Sequence, residues 1–312
     1  MSEYSQKFDI IIIGAGPAGL TAGIYSSWLG LETLVLESAV TGGRAAIAPK
    51  IENFPGFEEA IAGSELVGKM TKQANRMGVK LNTNQEVIGL DVNSSPKKVI
   101  TRQATYETSA IIVTTGTQKR KLHVPGEEEF LGRGVSYCAV CDGPFFRKTN
   151  VAVIGDGEEA AIDAIQLSEI ANYVTVITQN PQLLRDALGN KLINMANVEI
   201  IHGKVVAIEG EQVVKKIKVY ELANRQGIEK TVKGVFIALG GVPMTAIVKN
   251  TGIKTDRSGC IAVDRQQRTN VEGVFAAGDC TCGGMQIVTA AGEGAMAAMR
   301  AANYARQHKF KQ

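Results

Sequence analysis

The sequence carries almost no net charge. Its 34 lysines and arginines stand against 31 aspartates and glutamates, a formal balance of +3, which gives no basic field for nucleic acid. No apolar stretch approaches the length of a membrane span. The opening residues, Met1 to Lys7, are polar and run straight into a strand-like segment, so neither a signal peptide nor a transit sequence is expected. Cysteines are few and odd in number. Five in 312 residues argue against a secreted disulfide scaffold and for a reducing, cytoplasmic setting. The three histidines, His123, His202 and His308, show no metal-ligand spacing. What is present is chain enough for two ordinary domains, each with its own core.

Phe8 to Ile13 is a near-continuous β-branched run, the pattern of a parallel strand buried on both faces. Gly14-Ala15-Gly16-Pro17-Ala18-Gly19 follows, then a helical segment to about Gly30 and a second strand, Glu32 to Leu36, ending at Glu37. This is a whole dinucleotide fingerprint. Gly14 permits the tight turn, Gly16 lets backbone approach a pyrophosphate, and Gly19 allows close helix-on-strand packing. Glu37, about twenty residues on, is placed to accept hydrogen bonds from a ribose. Thr41-Gly42-Gly43-Arg44 and Ile51 to Phe57, which includes Asn53, read by themselves as a plain connection of turns.

A helical pattern returns from Gly63 to about Met77, with short strands around Val79 to Leu81 and Glu86 to Ile88. Ala110 to Thr117 is a buried strand running into the small-residue turn Thr115-Gly116-Thr117, where backbone can approach a ligand. Lys119-Arg120-Lys121 reads as solvated linker leading to Val124-Pro125-Gly126. A second strand, glycine turn and helix begin at Asn150, with the turn Gly155-Asp156-Gly157-Glu158-Glu159-Ala160 and a further strand at Tyr173 to Ile177. Lys215 to Val232 reads as a strand pair, and Gly234 to Gly240 as a closing buried strand. Past Gly241-Val242-Pro243, Val274 to Cys280 is strand, turn and carboxylate. A small-residue helix then runs from about Ile287 to Arg306, its alanines and glycines permitting close backbone approach.

Between the two glycine turns lies Cys138-Ala139-Val140-Cys141-Asp142. A thiolate attacks disulfides, and a Cys-x-x-Cys pair near a helix N-terminus has a lowered thiol pKa. One sulfur attacks, the other resolves the mixed disulfide, and Asp142 is close enough in sequence to exchange the accompanying proton. Half a zinc site has the same spacing, but no complementary ligands accompany it. Cys260 is isolated in sequence. Cys280-Thr281-Cys282 reads as packing beside a glycine turn in preference to a redox bridge.

In order and spacing these features resemble the low-molecular-weight thioredoxin reductases, flavoprotein disulfide reductases with two dinucleotide-binding domains. The resemblance rests on Gly14 to Gly19 with Glu37, Thr41 to Arg44 with Asn53, Thr115 to Thr117, Cys138 to Asp142, and Ala276-Ala277-Gly278-Asp279. It implies an α/β fold of two Rossmann-like, three-layer ββα domains, the second inserted into the first. The flavin domain would comprise residues 1–117 and 244–312, and the thiol-bearing domain residues 118–243, with hinges near 118–121 and 240–243. It further implies FAD, held at Gly14, Gly16, Pro17, Ala18, Gly19 and Glu37. Gly43, Arg44 and Asn53 would lie along the flavin, Val87 by the adenine, Thr115 and Gly116 at the turn, Gly278 and Asp279 at the ribityl and phosphate portion, and Gln286 and Ile287 near the isoalloxazine. Cys141 would face the flavin, Cys138 would attack thioredoxin, Asp142 would donate the proton, and the enzyme would be a homodimer.

The second glycine turn departs from that pattern. Three carboxylates, Asp156, Glu158 and Glu159, stand where a pyrophosphate would sit and repel a dianion. The following strand ends in Thr178-Gln179-Asn180, without the basic cluster that would hold a 2′-phosphate, and Arg185 is the nearest cation. One reading is a divergent NADH or NADPH site. The sharper one is that NADPH is not the reductant. Thr41 to Arg44 and Ile51 to Glu59 resemble the deazaflavin-linked relatives of methanogens, and other relatives take electrons from reduced ferredoxin. A flavin-bearing redox sensor that switches without turnover stands as the alternative of another class.

Overall fold

The alternation within Phe8 to Ile13 decides the layering of the first unit. In the computed structural model, which describes residues 6–48, 50–180 and 187–308, Ile10 and Ile12 face a helical core while Phe8, Ile11 and Ile13 face a second core on the opposite side of the sheet. A strand apolar on both faces must be covered on both. Met1 to Ser5 and Arg185 lie outside the described residues.

The chain divides into two compact units, residues 1–118 with 242–312, and residues 119–241. The first segment supplies β1 (Gln6–Ile13), α1 (Pro17–Trp28), β2 (Thr33–Leu36), α2 (Gly43–Ala46), α3 (Gly63–Arg76), β3 (Lys80–Asn82), β4 (Val87–Asp91), β5 (Lys97–Thr101), β6 (Thr105–Val113) and β7 (Thr117–Lys119). The inserted unit supplies β8 (Val135–Ser136), α4 (Ala139–Asp142), β9 (Asn150–Ile154), α5 (Glu158–Ser168), β10 (Tyr173–Thr178), α6 (Ala187–Ile193), β11 (Val198–Gly210), β12 (Val214–Glu221), β13 (Gln226–Thr231) and β14 (Gly234–Ile237), and β15 (Gly241–Pro243) crosses the boundary back to the first unit. The last segment returns with β16 (Val274–Ala276) and α7 (Ile287–Gln307).

The sheet of the first unit runs β3-β2-β1-β6-β5-β4, with β16 also pairing β6. Its β1, β2, β3, β6 and β16 pairings are parallel, and β4 and β5 continue from β6 as an antiparallel meander. The helices α1, α3 and α7 cover one face. The small residues of α7 have a defined purpose: a Cβ on Gly294 would lie 2.1 Å from the carbonyl oxygen of Ala18, so α7 meets α1 backbone against backbone. Alanines 297, 298, 301, 302 and 305 are wholly buried along the same helix.

The second unit repeats the plan in the order β13-β12-β11-β10-β9-β14-β8. From β8 to the first part of β11 the pairings are parallel, and β11, β12 and β13 finish as an antiparallel meander. The α/β class and the two Rossmann-like units are therefore as the sequence implies. Both glycine turns fall at the C-terminal ends of first strands, β1 and β9, where open α/β sheets bind ligands. The thiol pair follows edge strand β8 directly.

Candidate active site

Cys138 ends the extended chain leaving β8 and caps α4, with φ −146° and ψ 100°. It is joined to Cys141 in a disulfide whose Cα atoms are 5.3 Å apart. The N–H of Cys141 points at Cys138 Sγ (3.2 Å), a donor already in place to stabilise a thiolate at Cys138. Asp142 closes the same turn. Its Oδ2 accepts a 2.6 Å hydrogen bond from Ser136 Oγ, and that hydroxyl in turn accepts the N–H of Cys138 (3.0 Å). Burial raises the Asp142 carboxyl above the usual carboxylate range, and the Ser136 bond only partly opposes it. A carboxyl raised by burial beside a thiol pair is a better proton carrier than an ordinary surface carboxylate.

Two supporting residues carry no sequence signal of their own. Ser136 is the common partner of Cys138 and Asp142. Glu127, buried, accepts the Tyr137 hydroxyl (2.5 Å) and the N–H groups of Leu122 (2.8 Å) and His123 (2.7 Å). Burial, and then Glu127, push the Tyr137 phenol upward, so the residue before Cys138 is held as a neutral donor.

In the other unit the first glycine turn forms a cradle. Gly14 has φ +105°, and a Cβ on it would lie 2.5 Å from Thr114 O, while one on Gly19 would lie 1.8 Å from Gly14 O. Only glycine fits either place. A Cβ on Gly16, by contrast, would meet nothing within 4 Å, which leaves the open approach that a phosphate group needs. Pro17 is the first residue of α1, Ala18 the second, and no acidic side chain occupies that first turn. Glu37 accepts the N–H of Ala15 with Oε2 (2.8 Å) and of Ala39 with Oε1 (2.9 Å).

The remaining residues assigned to this region fall into groups. Gly43 lies across the turn, an added Cβ 3.7 Å from Gly16 Cα. Arg44 donates to Thr117 Oγ1 (2.8 Å) and pairs with Asp279 Oδ2 (3.0 Å). Gly116 takes φ +70° just after Thr115. Asn53 donates to Gln286 Oε1 (3.0 Å), and Gln286 caps α7, of which Ile287 is the first residue. Gly278, at φ +78°, gives its N–H to Glu293 Oε2 (2.7 Å). Glu293 is a further residue without a sequence signal, its carboxyl raised chiefly by burial. Val87 stands two residues past Gln85, whose N–H donates to the Glu37 carbonyl (2.9 Å).

The pyridine nucleotide-disulphide oxidoreductase family matches residues 8–295. The chain belongs to that family. It is 40% identical over 303 residues to a thioredoxin reductase of Aquifex aeolicus, covering 96% of this chain and 94% of that one. The solved thioredoxin reductase of Streptococcus pyogenes superposes with a TM-score of 0.90 at 35% identity, covering 97% and 99% of the two chains. A ferredoxin-flavin thioredoxin reductase of Clostridium acetobutylicum gives 0.54 at 31% identity over 97% and 100%. FAD is expected of this family, and the open Gly16 approach and carboxylate-free α1 start fit a dinucleotide.

For a pyridine nucleotide-disulphide oxidoreductase, the second glycine turn is built unexpectedly. Gly155 is sterically required, an added Cβ lying 2.1 Å from Ala238 O. Asp156 then folds over the end of β10, its Oδ1 accepting Thr178 Oγ1 (2.8 Å) and the N–H groups of Gln179 (2.6 Å) and Asn180 (3.1 Å). Glu158 and Glu159 occupy the first turn of α5, and Glu159 pairs with Lys119 at 3.4 Å. One turn on, burial and then Glu159 push the Asp163 carboxyl up to about 6. A cavity of about 350 Å³ lies beside this turn, lined among others by Leu122, Pro125, Asp156, Ile177, Gln179 and Lys204.

The cysteine reading needs one correction. Cys280 packs as expected, wholly buried with Sγ toward Val113 O and Ala277 O, and burial pushes its thiol up to about 11. Cys260 is not isolated, and Cys282 is not merely packed: the two form a disulfide across 22 residues of sequence. The reason is tertiary. The turn ending at Cys260 is brought to the Gly278 loop, where Ile261 N donates to Cys280 O (2.9 Å).

Proposed function

We propose that this chain is an FAD-dependent thioredoxin-disulfide reductase, working in the cytoplasm as a homodimer, whose electron donor is reduced deazaflavin or reduced ferredoxin and not NADPH. The observation that carries the reductase reading is the constellation of Cys138, Cys141, Asp142 and Ser136 on one short turn. FAD, when bound, supplies the electron pair that reopens the Cys138–Cys141 bond. Gly14, Gly16 and Gly19 would hold its pyrophosphate against α1, Glu37 its ribose, and Arg44, Asn53, Gly278, Asp279 and Gln286 the remainder.

The opened pair performs the exchange. Cys138 Sγ attacks one sulfur of the thioredoxin disulfide. The other thioredoxin sulfur leaves and takes a proton, and Cys138 is joined to substrate in a mixed disulfide. Cys141 then attacks Cys138 Sγ. The Cys138–Cys141 bond re-forms, and the second thioredoxin sulfur is released and protonated. Asp142, raised by burial, is the group of the turn able to hold a proton for these steps. Val140 and Phe145, both exposed beside the pair, suit a protein substrate with an apolar rim around its own disulfide.

The donor reading is supported by charge. A nucleotide at the second turn would set its pyrophosphate against Glu158 and Glu159, and a 2′-phosphate near the end of β10 would meet Asp156. Glu158 is exposed and Glu159 is paired with Lys119, so solvent screens this repulsion to about 1 kcal/mol or less each pair. The cavity beside Asp156 favours a second reading, a nicotinamide site that takes NADH. The test is anaerobic flavin bleaching with equal amounts of reduced deazaflavin, reduced ferredoxin, NADH and NADPH, followed by addition of oxidised thioredoxin. Bleaching by deazaflavin or ferredoxin and thioredoxin reduction lost in Cys138→Ser are expected. Rapid bleaching by NADPH overturns the donor, and a Cys138→Ser variant that reduces thioredoxin normally overturns the reductase.

A further inference from the structure

The Cys260–Cys282 disulfide lies within the same unit as the flavin cradle, and nothing in the thiol exchange uses it. Its two ends differ. Cys260 is buried in a closed turn: Asp256 Oδ1 accepts the N–H groups of Ser258 (2.8 Å) and Cys260 (2.9 Å), and Asp256 N donates to Cys260 O (2.9 Å). Cys282 is half-exposed and begins the passage to α7. Along that passage Cys282, Gly284 and Met285 all hold positive φ, at 60°, 73° and 50°. Non-glycine residues stay there when their surroundings over-determine them. On one side Cys280 is fixed in the core. On the other, Gly284 is packed so closely on α7 that a Cβ would lie 2.6 Å from Thr289 Oγ1. The passage delivers Gln286, bonded to Asn53, and Ile287.

We propose that Cys260–Cys282 is a reversible redox-modification site, opened by a dithiol, and that opening it releases the Cys282–Gln286 passage and weakens the hold on FAD. The FAD part rests on the function proposed above. The dithiol is of the class that function produces, reduced thioredoxin included, so product accumulation would loosen the cofactor. The less buried end, Cys282, directs the chemistry. A thiolate of the dithiol attacks Cys282 Sγ, the Cys260–Cys282 bond breaks, and Cys260 leaves and takes a proton. The second thiolate of the dithiol then attacks its own mixed disulfide, and Cys282 leaves with a proton. Two electrons and two protons pass to the chain, and the dithiol ends as a disulfide.

The experiment uses the full FAD-loaded chain carrying Cys138→Ser and Cys141→Ser, with dithiothreitol as the dithiol under anaerobic conditions. Alkylation and peptide mass report Cys260 and Cys282, ultrafiltration and fluorescence report FAD affinity, and amide exchange reports residues 282–289. Reduction is expected to expose both thiols, speed exchange in that segment and weaken FAD at least about tenfold, the cost of re-ordering even one residue of the released passage on binding. Adding Cys260→Ser and Cys282→Ser should fix the weak value with and without dithiothreitol. Both thiols alkylated in air-purified protein, or FAD affinity equal in the two states, overturns the inference alone. A chain that takes up no FAD in either state overturns the proposed function and this inference with it.

Discussion

Gly16→Ala and Gly19→Ala, three residues apart in one turn, should fail in opposite ways. Gly16 has φ −73° and ψ −175°, a conformation alanine adopts without strain, and its Cβ would enter open space. Reduced freedom of the unfolded chain then stabilises by about 0.4–1 kcal/mol. Gly16 is also the residue that caps α1, where alanine is worse than glycine by a similar roughly 0.5–1 kcal/mol. The two effects nearly cancel, so the apoprotein should melt within about 2 °C of wild type. On the proposed placement of FAD, however, the added methyl stands in the path of the pyrophosphate, and FAD affinity should fall by at least about a hundredfold, a loss on the order of 3 kcal/mol. In Gly19→Ala the methyl would lie 1.8 Å from Gly14 O and 2.8 Å from Thr114 Oγ1, so α1 must lift off β1. Overpacking costs about 1–3 kcal/mol or more, and alanine's helix preference returns only about 1 kcal/mol. The apoprotein itself should lose several degrees. Thermal melts of both apoproteins, with FAD titrations by flavin fluorescence, separate the cases. Wild-type FAD affinity in Gly16→Ala would refute the placement of the pyrophosphate, and an unshifted melt in Gly19→Ala would refute the packing of α1 on its strand.

Asp142→Asn preserves shape and the Ser136 contact but cannot exchange a proton, so thioredoxin reduction should slow by about 10²–10⁴-fold. The wild-type pH–rate profile should contain an ionisation above the ordinary carboxylate range, and steady-state rates across pH should show it missing in the variant; an unchanged profile removes Asp142 from proton transfer. Asp163, raised to about 6 by burial and Glu159, binds its proton more tightly folded than unfolded. Its contribution to stability is therefore fully present below about pH 4 and lost as pH rises through about 6. Asp163→Asn should match wild type in denaturant melts at pH 4 and exceed it at pH 8, by about 2 kcal/mol after allowing for partial exposure; equal stability at both values would contradict the half-buried carboxyl beside Glu159.

The elements themselves were legible because local pattern dictates them. The near-continuous apolar run of β1 belongs between two layers, and both are present. Gly14 and Gly19 announced a turn that the backbone makes at close quarters. The Cys-x-x-Cys spacing with Asp142 placed three reactive groups on one turn, since i to i+3 neighbours in a turn meet. What was not legible is pairing across the fold. Nothing near Ser136 says that its hydroxyl reaches Cys138 and Asp142 together. Glu127 is one of three consecutive glutamates, and only the packing of the passage after Leu122 selects it for burial. Glu293 is one carboxylate among the small residues of α7, fixed in role by the approach of the Gly278 loop. Cys260 found its partner through the same loop, at a separation that no spacing rule connects.

The two glycine turns use one device in opposite senses. In the first unit the carboxylate is at the end of the second strand: Glu37 reaches back to the N–H of Ala15, the middle residue of the turn. Its charge stays at the strand end, where a ribose can share it, and the turn keeps Gly16 open before an α1 start free of acids. In the second unit the carboxylate is the middle residue of the turn. Asp156 reaches forward to the N–H groups of Gln179 and Asn180 at the strand end. Each clasp joins a glycine turn to the end of the neighbouring strand and satisfies backbone donors that would otherwise face solvent or ligand. In the second clasp, though, the donors spent are those at the end of β10, and Glu158 and Glu159 follow in the helix's first turn. A dinucleotide binds by finding uncommitted N–H groups and a positive helix end together. The first turn offers both. The second commits the strand-end donors to Asp156 and places two carboxylates, one of them paired with Lys119, in the helix's first turn.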